Sequence, residues 1–87
     1  MAENVLVISI LPDSDEVNLD DIVEEIKKKL PNYARLVKYE KEPYVFGLEK
    51  LIIRIVIPEK EGLAYEIESI LNSIEGISAE VERMGRL

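Results

Sequence analysis

The 87-residue chain contains no cysteine, no histidine and no tryptophan, and it has one phenylalanine. Without cysteine it can form no disulfide, no thiolate nucleophile and no zinc site of the Cys/His kind, and without histidine it lacks the usual general base near neutral pH. Its longest apolar runs, 5–11 and 51–57, are interrupted by Ser9 and Arg54 and are too short to span a bilayer. We therefore expect a cytoplasmic protein with no metal site, no cofactor and no membrane partner.

The chain is acidic, with 18 Asp and Glu residues against 11 Lys and Arg residues and a net charge of −7. Hydrophobic residues make up 47% and charged residues 33%, a balance typical of a globular domain rather than a disordered acidic tail. A chain of this length forms one domain, residues 1–87. By area scaling it buries about 64% of its unfolded surface, which is enough for one core.

Two apolar runs, 5–13 and 51–59, resemble each other, because each is rich in branched residues and reaches a proline, Pro12 or Pro58. Such runs predict buried strands that end at the proline. An amphipathic stretch follows each run. The first begins at Asn18 and stops at Pro31, which predicts a helix. Its apolar face consists of Leu19, Ile22, Val23, Ile26 and Leu30.

The second amphipathic stretch begins near Glu61, and Gly76 fits a Schellman ending. Its apolar face consists of Leu63, Ile67, Ile70, Leu71 and Ile74. Apolar and polar residues alternate over 35–41 and again from Ile77, which predicts two further strands, the last one short. The β-α-β-β-α-β order predicts the α+β class and a ferredoxin-like sandwich. In this fold a four-stranded antiparallel sheet carries two helices on one face, with the apolar runs as central strands.

Acidic residues cluster after the first and third strands. The clusters consist of Asp13, Asp15 and Glu16, and of Glu59, Glu61 and Glu66. Carboxylates favour helix N-termini, and neither cluster has the D-x-D-x-D-G spacing of a calcium loop, so we interpret both as solvated. The third strand has no aromatic residue that stacks on bases, and the net charge is negative. Both features argue against nucleic-acid binding.

Segment 43–51, P-Y-V-F-G-L-E-K-L, connects the second and third strands and holds the only phenylalanine of the chain. Gly47 is suited to a positive φ or a bulge that presents Phe46 at the edge of the sheet. An exposed aromatic residue in such a place is typical of a protein-binding hot spot. From the residues alone, the alternative is a hairpin in which Tyr44 and Phe46 cap the core.

The same segment resembles the P-x-x-[FY]-G-[LI]-x-x-L signature of the elongation factor 1-beta family, the guanine-nucleotide exchange factors of translation. The resemblance covers essentially the whole chain. It includes the opening strand that ends at Pro12, the S-I-E-G-I turn at 73–77 and the C-terminal strand. The chain looks like the free-standing archaeal form of the family.

The resemblance implies a binding protein rather than an enzyme. Such factors bind the GTPase elongation factor 1-alpha loaded with GDP and promote GDP release so that GTP can bind, without direct contact with nucleic acid. It also implies that Tyr44, Phe46, Gly47 and Leu48 bind the partner, with the aromatic side chain packed into the G domain near the switch regions. Arg86 stands where eukaryotic relatives have a penultimate lysine that reaches toward the Mg²⁺ and phosphate region. The alternative for Arg86 is a frayed, solvated C-terminus.

Two other functions are compatible with the sandwich fold. A small-molecule-sensing regulatory module requires a polar, glycine-rich loop after the first strand, but residues 12–18 contain no glycine. A small hydrolase of the acylphosphatase kind requires a loop with arginine that cradles phosphate at the same place, but this acidic loop repels phosphate. The regulatory module is the stronger of the two alternatives to nucleotide exchange.

Overall fold

A computed structural model describes residues 2–87 of the chain. These residues form four strands and two α-helices, in the order β1 (Glu3–Pro12), α1 (Leu19–Lys29), β2 (Arg35–Pro43), β3 (Glu49–Pro58), α2 (Leu63–Asn72) and β4 (Ile77–Arg86). A single 3₁₀ turn over Val45–Gly47 lies between β2 and β3. The β-α-β-β-α-β order predicted from the sequence is confirmed.

The strands form one antiparallel sheet in the order β2-β3-β1-β4. β1 pairs with β3 from Glu3↔Pro58 to Ile10↔Leu51, so the two apolar runs are the central strands, as predicted. Both helices pack against one face of this sheet. The predicted ferredoxin-like sandwich is therefore confirmed.

The core lies between the sheet and the two helices. The side chains of the central strands that face the helices are all buried, and they are Leu6, Ile8, Ile10, Leu51, Ile53, Ile55 and Ile57. From the helices they meet Leu19, Ile22, Val23, Ile26, Ile67 and Leu71. Full burial of one such side chain contributes about 1.5–3 kcal/mol, so β1 and β3 form the most strongly held part of the molecule.

Helix α1 begins where the sequence predicts it. The Asn18 Oδ1 accepts hydrogen bonds from the backbone N–H groups of Asp20 and Asp21 at 2.9 and 3.2 Å. This cap satisfies two donors that have no partner inside the helix. Three lysines, 27–29, occupy the last turn, where the helix dipole favours positive charge.

Two features near the C-terminus differ from the sequence prediction. Helix α2 ends at Asn72, so the predicted Schellman cap at Gly76 is wrong. Gly76 instead takes a φ of 90° at the turn that leads into β4. β4 is also not short, since it runs for ten residues to Arg86. The pairing of β4 with β1 skips Glu82, and this bulge breaks the period-two pattern by which a strand is recognised.

Two side chains of α2 cover part of the outer edge of β4. The Asn72 amide donates to the Ala79 carbonyl at 2.9 Å and accepts from the Ala79 N–H at 2.8 Å. The Glu68 carboxylate accepts from the Val81 N–H at 2.8 Å. These bonds satisfy backbone groups that an edge strand otherwise leaves without a partner. Helix α2 thereby holds the strand that carries Arg86.

Tyr33 connects the segment between α1 and β2 to α2, because its hydroxyl donates a hydrogen bond to the Glu66 carboxylate. Partial burial, together with this hydrogen bond and the negative charge of Glu66, raises the pKa of Tyr33 to about 12. The hydroxyl is therefore a protonated donor at neutral pH.

Candidate functional site

The connection between β2 and β3 is a tight turn over residues 44–48, here called the hairpin turn. The Tyr44 N–H donates to the Leu48 carbonyl at 2.7 Å, and the Leu48 N–H donates to the Val45 carbonyl at 3.1 Å. Between these bonds, Phe46 and Gly47 both adopt left-handed backbone angles, with φ of 57° and 74°. The positive φ predicted at Gly47 is present, and Phe46 shares it.

The Phe46 side chain projects into solvent and is 97% exposed. The alternative in which Phe46 caps the core is therefore wrong. A bulky residue in the left-handed region costs about 1–2 kcal/mol, and Phe46 offsets none of this cost by burial within the chain. A strained backbone that displays an exposed aromatic side chain indicates a binding function.

Other residues of the hairpin turn widen this surface. Val45 is 51% exposed and Tyr44 is 38% exposed, and the Lys50 ammonium lies 5.8 Å from the centroid of the Tyr44 ring. Such a cation–π contact favours one position of the ring beside the turn. Leu48 is partly buried and lines a cavity of about 300 Å³ between the turn and the β1–α1 loop. The structure thus brings the predicted residues 44 and 46–48 together and adds Val45.

An ion pair links the strand that leads into the hairpin turn to helix α1. The Lys41 Nζ lies 3.0 Å from the Asp20 Oδ1. The hydrogen bond with Asp20 raises the pKa of Lys41 above its usual value, so the ammonium form is favoured. Both residues line the same cavity as Leu48.

Arg86 lies within β4, where it pairs with Asn4 of β1. Its Nη2 lies 2.6 Å from the Glu59 Oε1, while 70% of its side chain is exposed. The next residue is also held, because the Leu87 N–H donates to the Glu3 carbonyl at 2.9 Å. The C-terminus is therefore not frayed, whereas the solvated side chain that this alternative also expected is present. Arg86 is ordered and at the same time accessible to a partner.

The hairpin turn and Arg86 lie at opposite ends of the sheet. The turn leads into β3 at Glu49, whereas Arg86 is level with Ile57, since both pair with Asn4. At about 3.3 Å per residue, the segment of β3 from Glu49 to Ile57 spans about 26 Å. The structure therefore does not bring Arg86 together with the hairpin turn.

The sequence profile of a family described as the EF-1 guanine nucleotide exchange domain matches residues 5–87. The chain belongs to this family. Elongation factor 1-beta of Sulfurisphaera tokodaii is 47% identical over 100% of this chain and 98% of its own length. The same factor of Sulfolobus acidocaldarius is 47% identical over 95% of this chain and 94% of its own length. Elongation factor 1-beta of Hyperthermus butylicus is 43% identical over 100% of this chain and 97% of its own length.

Membership of the family confirms the guanine-nucleotide exchange function that was predicted from the hairpin segment, and the archaeal relatives confirm the archaeal form. The matches do not support the regulatory-module alternative. Among solved structures, the C-terminal domain of the MgtC protein from Mycobacterium tuberculosis has a TM-score of 0.55 and 10% identity, covering 99% of this chain and 86% of that domain. At this identity the likeness concerns the fold alone.

The acidic clusters remain on the surface, as predicted. All six carboxylates, at 13, 15, 16, 59, 61 and 66, are exposed. Within residues 2–87, no group of three or more acidic side chains is arranged to hold a metal ion. In the same part of the chain, no helix has the length and apolar character needed to cross a membrane.

Sequence reasoning missed the role of Glu59 as the partner of Arg86. In the sequence, Glu59 was one of several acids after the third strand, with nothing to distinguish it from Glu61. The signal lies in the pairing of β1 with both β3 and β4, which brings residues 59 and 86 to one end of the sheet.

Proposed function

We propose that the chain promotes GDP release from the GTPase elongation factor 1-alpha, so that GTP can bind during translation elongation. The observation that carries this proposal is Phe46, an aromatic side chain that is almost fully exposed on a strained turn within the family signature. Burying such a side chain in a partner contributes about 1.5–3 kcal/mol. Tyr44, Val45 and Leu48 surround it as the rest of the anchor.

Arg86 supplies a cation at the other end of the sheet. A guanidinium carries five N–H donors, and the contact with Glu59 is made through one of its terminal nitrogens, Nη2. The remaining donors suit phosphate oxygens, which accept charge-assisted hydrogen bonds. In the proposed mechanism Arg86 reaches the phosphate region of the bound GDP and competes there with Mg²⁺, which weakens nucleotide binding.

The separation of about 26 Å between the two regions approaches the diameter of a small domain, which is about 30 Å. Only one of the two regions can therefore lie beside the nucleotide. We assign that place to Arg86 and infer that the hairpin turn, which the resemblance placed near the switch regions, anchors farther from the nucleotide. The chain then acts through one anchoring contact and one effector contact.

Exchange sets a thermodynamic requirement on this binding. A factor that weakens GDP binding by a given ratio must bind the GDP-loaded GTPase more weakly than the empty one by the same ratio. Each tenfold effect corresponds to about 1.4 kcal/mol. An interface of about 800 Å² per partner is about one seventh of the 5591 Å² accessible surface of the chain, which leaves room for contacts at both ends.

We also infer that the chain acts in the cytoplasm, as one domain of residues 1–87, without a covalent reaction and without direct contact with nucleic acid or membrane. The net charge of −7 favours approach to a basic surface of the GTPase. The absence of cysteine and histidine is consistent with a protein that changes the affinity of its partner for a nucleotide and makes or breaks no covalent bond.

The test is the release rate of a fluorescent GDP from elongation factor 1-alpha, measured with substoichiometric amounts of this protein. Acceleration over many turnovers is the expected result, because the factor dissociates once GTP has bound. The GTPase is first verified by its own GTP binding. With an active GTPase, no acceleration by the wild-type chain would contradict the proposed function.

A further inference from the structure

The Arg86 side chain has a single carboxylate partner among residues 2–87. The Glu59 Oε1 accepts its hydrogen bond at 2.6 Å, although most of the Arg86 side chain is exposed. Charge-assisted hydrogen bonds of this length are strong, but exposed ion pairs stabilise folds only slightly. The main consequence of this contact is therefore the direction in which the guanidinium points.

Backbone hydrogen bonds hold the chain next to both members of the pair, on opposite sides of β1: one is made by Glu59 itself and one by Leu87, the residue after Arg86. The Glu59 N–H donates to the Ala2 carbonyl at 3.0 Å, just after β3 ends. On the other side, the Leu87 N–H donates to the Glu3 carbonyl at 2.9 Å, just after β4 ends. The ion pair therefore bridges β3 and β4 across the first residues of β1. A carboxylate fixed in this way can hold a guanidinium in one orientation.

We propose that Glu59 is a positioning residue that orders the Arg86 guanidinium before the GTPase binds. This proposal rests on the proposed role of Arg86 at the nucleotide. Without the Glu59 carboxylate, Arg86 samples many rotamers and must be ordered during exchange, which corresponds to a loss of about 2- to 10-fold in rate. We expect this loss in the maximal rate of GDP release. The half-saturating concentration should stay the same, because the hairpin turn still docks.

A double-mutant cycle tests this proposal with wild type, Glu59→Gln, Arg86→Ala and the double variant. We expect Glu59→Gln to slow maximal GDP release by about 2- to 10-fold, the factor expected for reordering one long side chain. Adding Glu59→Gln to Arg86→Ala should not slow GDP release any further. Glu59→Asp, which keeps the charge, should restore part of the rate.

Glu3→Gln is the matched control. It removes a second ion pair at this end of the sheet, in which the Arg35 Nη1 lies 2.9 Å from the Glu3 Oε2. We expect exchange with this variant to equal that of wild type. Because all these side chains are at the surface, the melting temperature of each variant should stay within about 4 °C of wild type.

Equal slowing by Glu59→Gln in both backgrounds would show that Glu59 acts independently of Arg86 and would overturn the proposal. Unchanged or faster exchange with Glu59→Gln would overturn it as well. Full activity of Arg86→Ala would remove Arg86 from the mechanism, and the positioning role with it, while leaving the exchange function intact. Failure of the exchange function itself is distinguishable, since the wild-type chain would then not accelerate GDP release from the GTPase.

Discussion

Replacing Phe46 separates the stability of the fold from its binding function. Because the side chain is 97% exposed, Phe46→Ala leaves no cavity, and we expect the free energy of unfolding to change by no more than about 0.5 kcal/mol. Phe46→Gly removes the left-handed strain of about 1–2 kcal/mol but adds about 0.5–1 kcal/mol of backbone freedom to the unfolded chain. The glycine variant should therefore be more stable than the alanine variant, by up to about 1.5 kcal/mol.

In contrast to the stability, the affinity of both variants for the GTPase should fall. The whole Phe46 ring is available for burial in a partner, which contributes about 1.5–3 kcal/mol. Since 1.4 kcal/mol corresponds to a factor of ten, both variants should need about 10- to 100-fold more protein for half-maximal GDP release. The glycine variant thus combines a more stable fold with a weaker interaction.

Two measurements check these expectations. Thermal unfolding resolves the stability difference, because 1 kcal/mol shifts the melting temperature of a domain of this size by about 4–8 °C. Titration of the fluorescent-GDP release rate gives the half-saturating concentration. Tyr65→Ala is the matched control, since Tyr65 is an aromatic residue of α2 that is 81% exposed and lies outside the hairpin turn. We expect wild-type exchange with it.

Three results would refute the reasoning about Phe46. A loss of more than about 2 kcal/mol in Phe46→Ala would mean that the ring packs in the core, since surface substitutions have smaller effects. A half-saturating concentration equal to that of wild type would remove Phe46 from the interface. A glycine variant less stable than the alanine variant would show that the backbone at this position is not strained.

Two further predictions concern the scaffold. Asn72→Ala should lower the free energy of unfolding by about 1–3 kcal/mol, because it leaves the N–H and carbonyl of Ala79 without partners, and denaturant unfolding checks this. Tyr33→Phe should be less stable than wild type by about 1 kcal/mol, because the hydrogen bond to Glu66 is lost. Since the pKa of Tyr33 is raised from 10.0 to about 12, this difference should be constant below pH 10 and shrink as the pH rises toward 12 in parallel melts. A constant difference over that range would contradict the raised pKa.

Local chemistry alone was enough to predict most of the fold. Pro12 and Pro58 end the two central strands where the apolar runs stop, because proline cannot donate to the ladder of a central strand. Asn18 caps α1 because its side chain accepts from the first free N–H groups of the helix. These signals involve residues that are close in sequence. In a sheet that is covered on one face, the two most apolar runs are expected to form the central strands. The topology follows from them.

The C-terminal part was harder to predict because its structure depends on distant partners. β4 continues to Arg86 although its alternation stops, since the bulge at Glu82 shifts the register and the last residues lie beyond the core. Its edge is held by Asn72 from α2, and its last arginine by Glu59 from the end of β3. No local sequence pattern in residues 82–87 predicts these contacts.

The hairpin turn was predicted in part. Gly47 signalled a positive φ, but the same angle at Phe46 follows from closure of the turn by the two hydrogen bonds between its ends, which brings two successive residues into the left-handed region. A sequence optimised for stability alone would place glycine or asparagine at both positions. Within residues 2–87, Phe46 is the only non-glycine residue with a positive φ, and this strain at an exposed aromatic residue indicates a function other than stability.

In the proposed mechanism, the distance between the two contact regions is itself a means of discrimination. The hairpin turn and Arg86 are joined by β3 and β1, whose inward-facing side chains are all buried, so the separation of about 26 Å is set by the most strongly held part of the molecule. A rigid body with two fixed contacts binds best to the GTPase conformation whose two contact surfaces have the matching spacing. A GDP-loaded conformation with a different spacing can satisfy only one contact at a time. The second contact then contributes binding energy only in the GTPase conformation with the matching spacing. This difference in binding between the two conformations is what exchange requires.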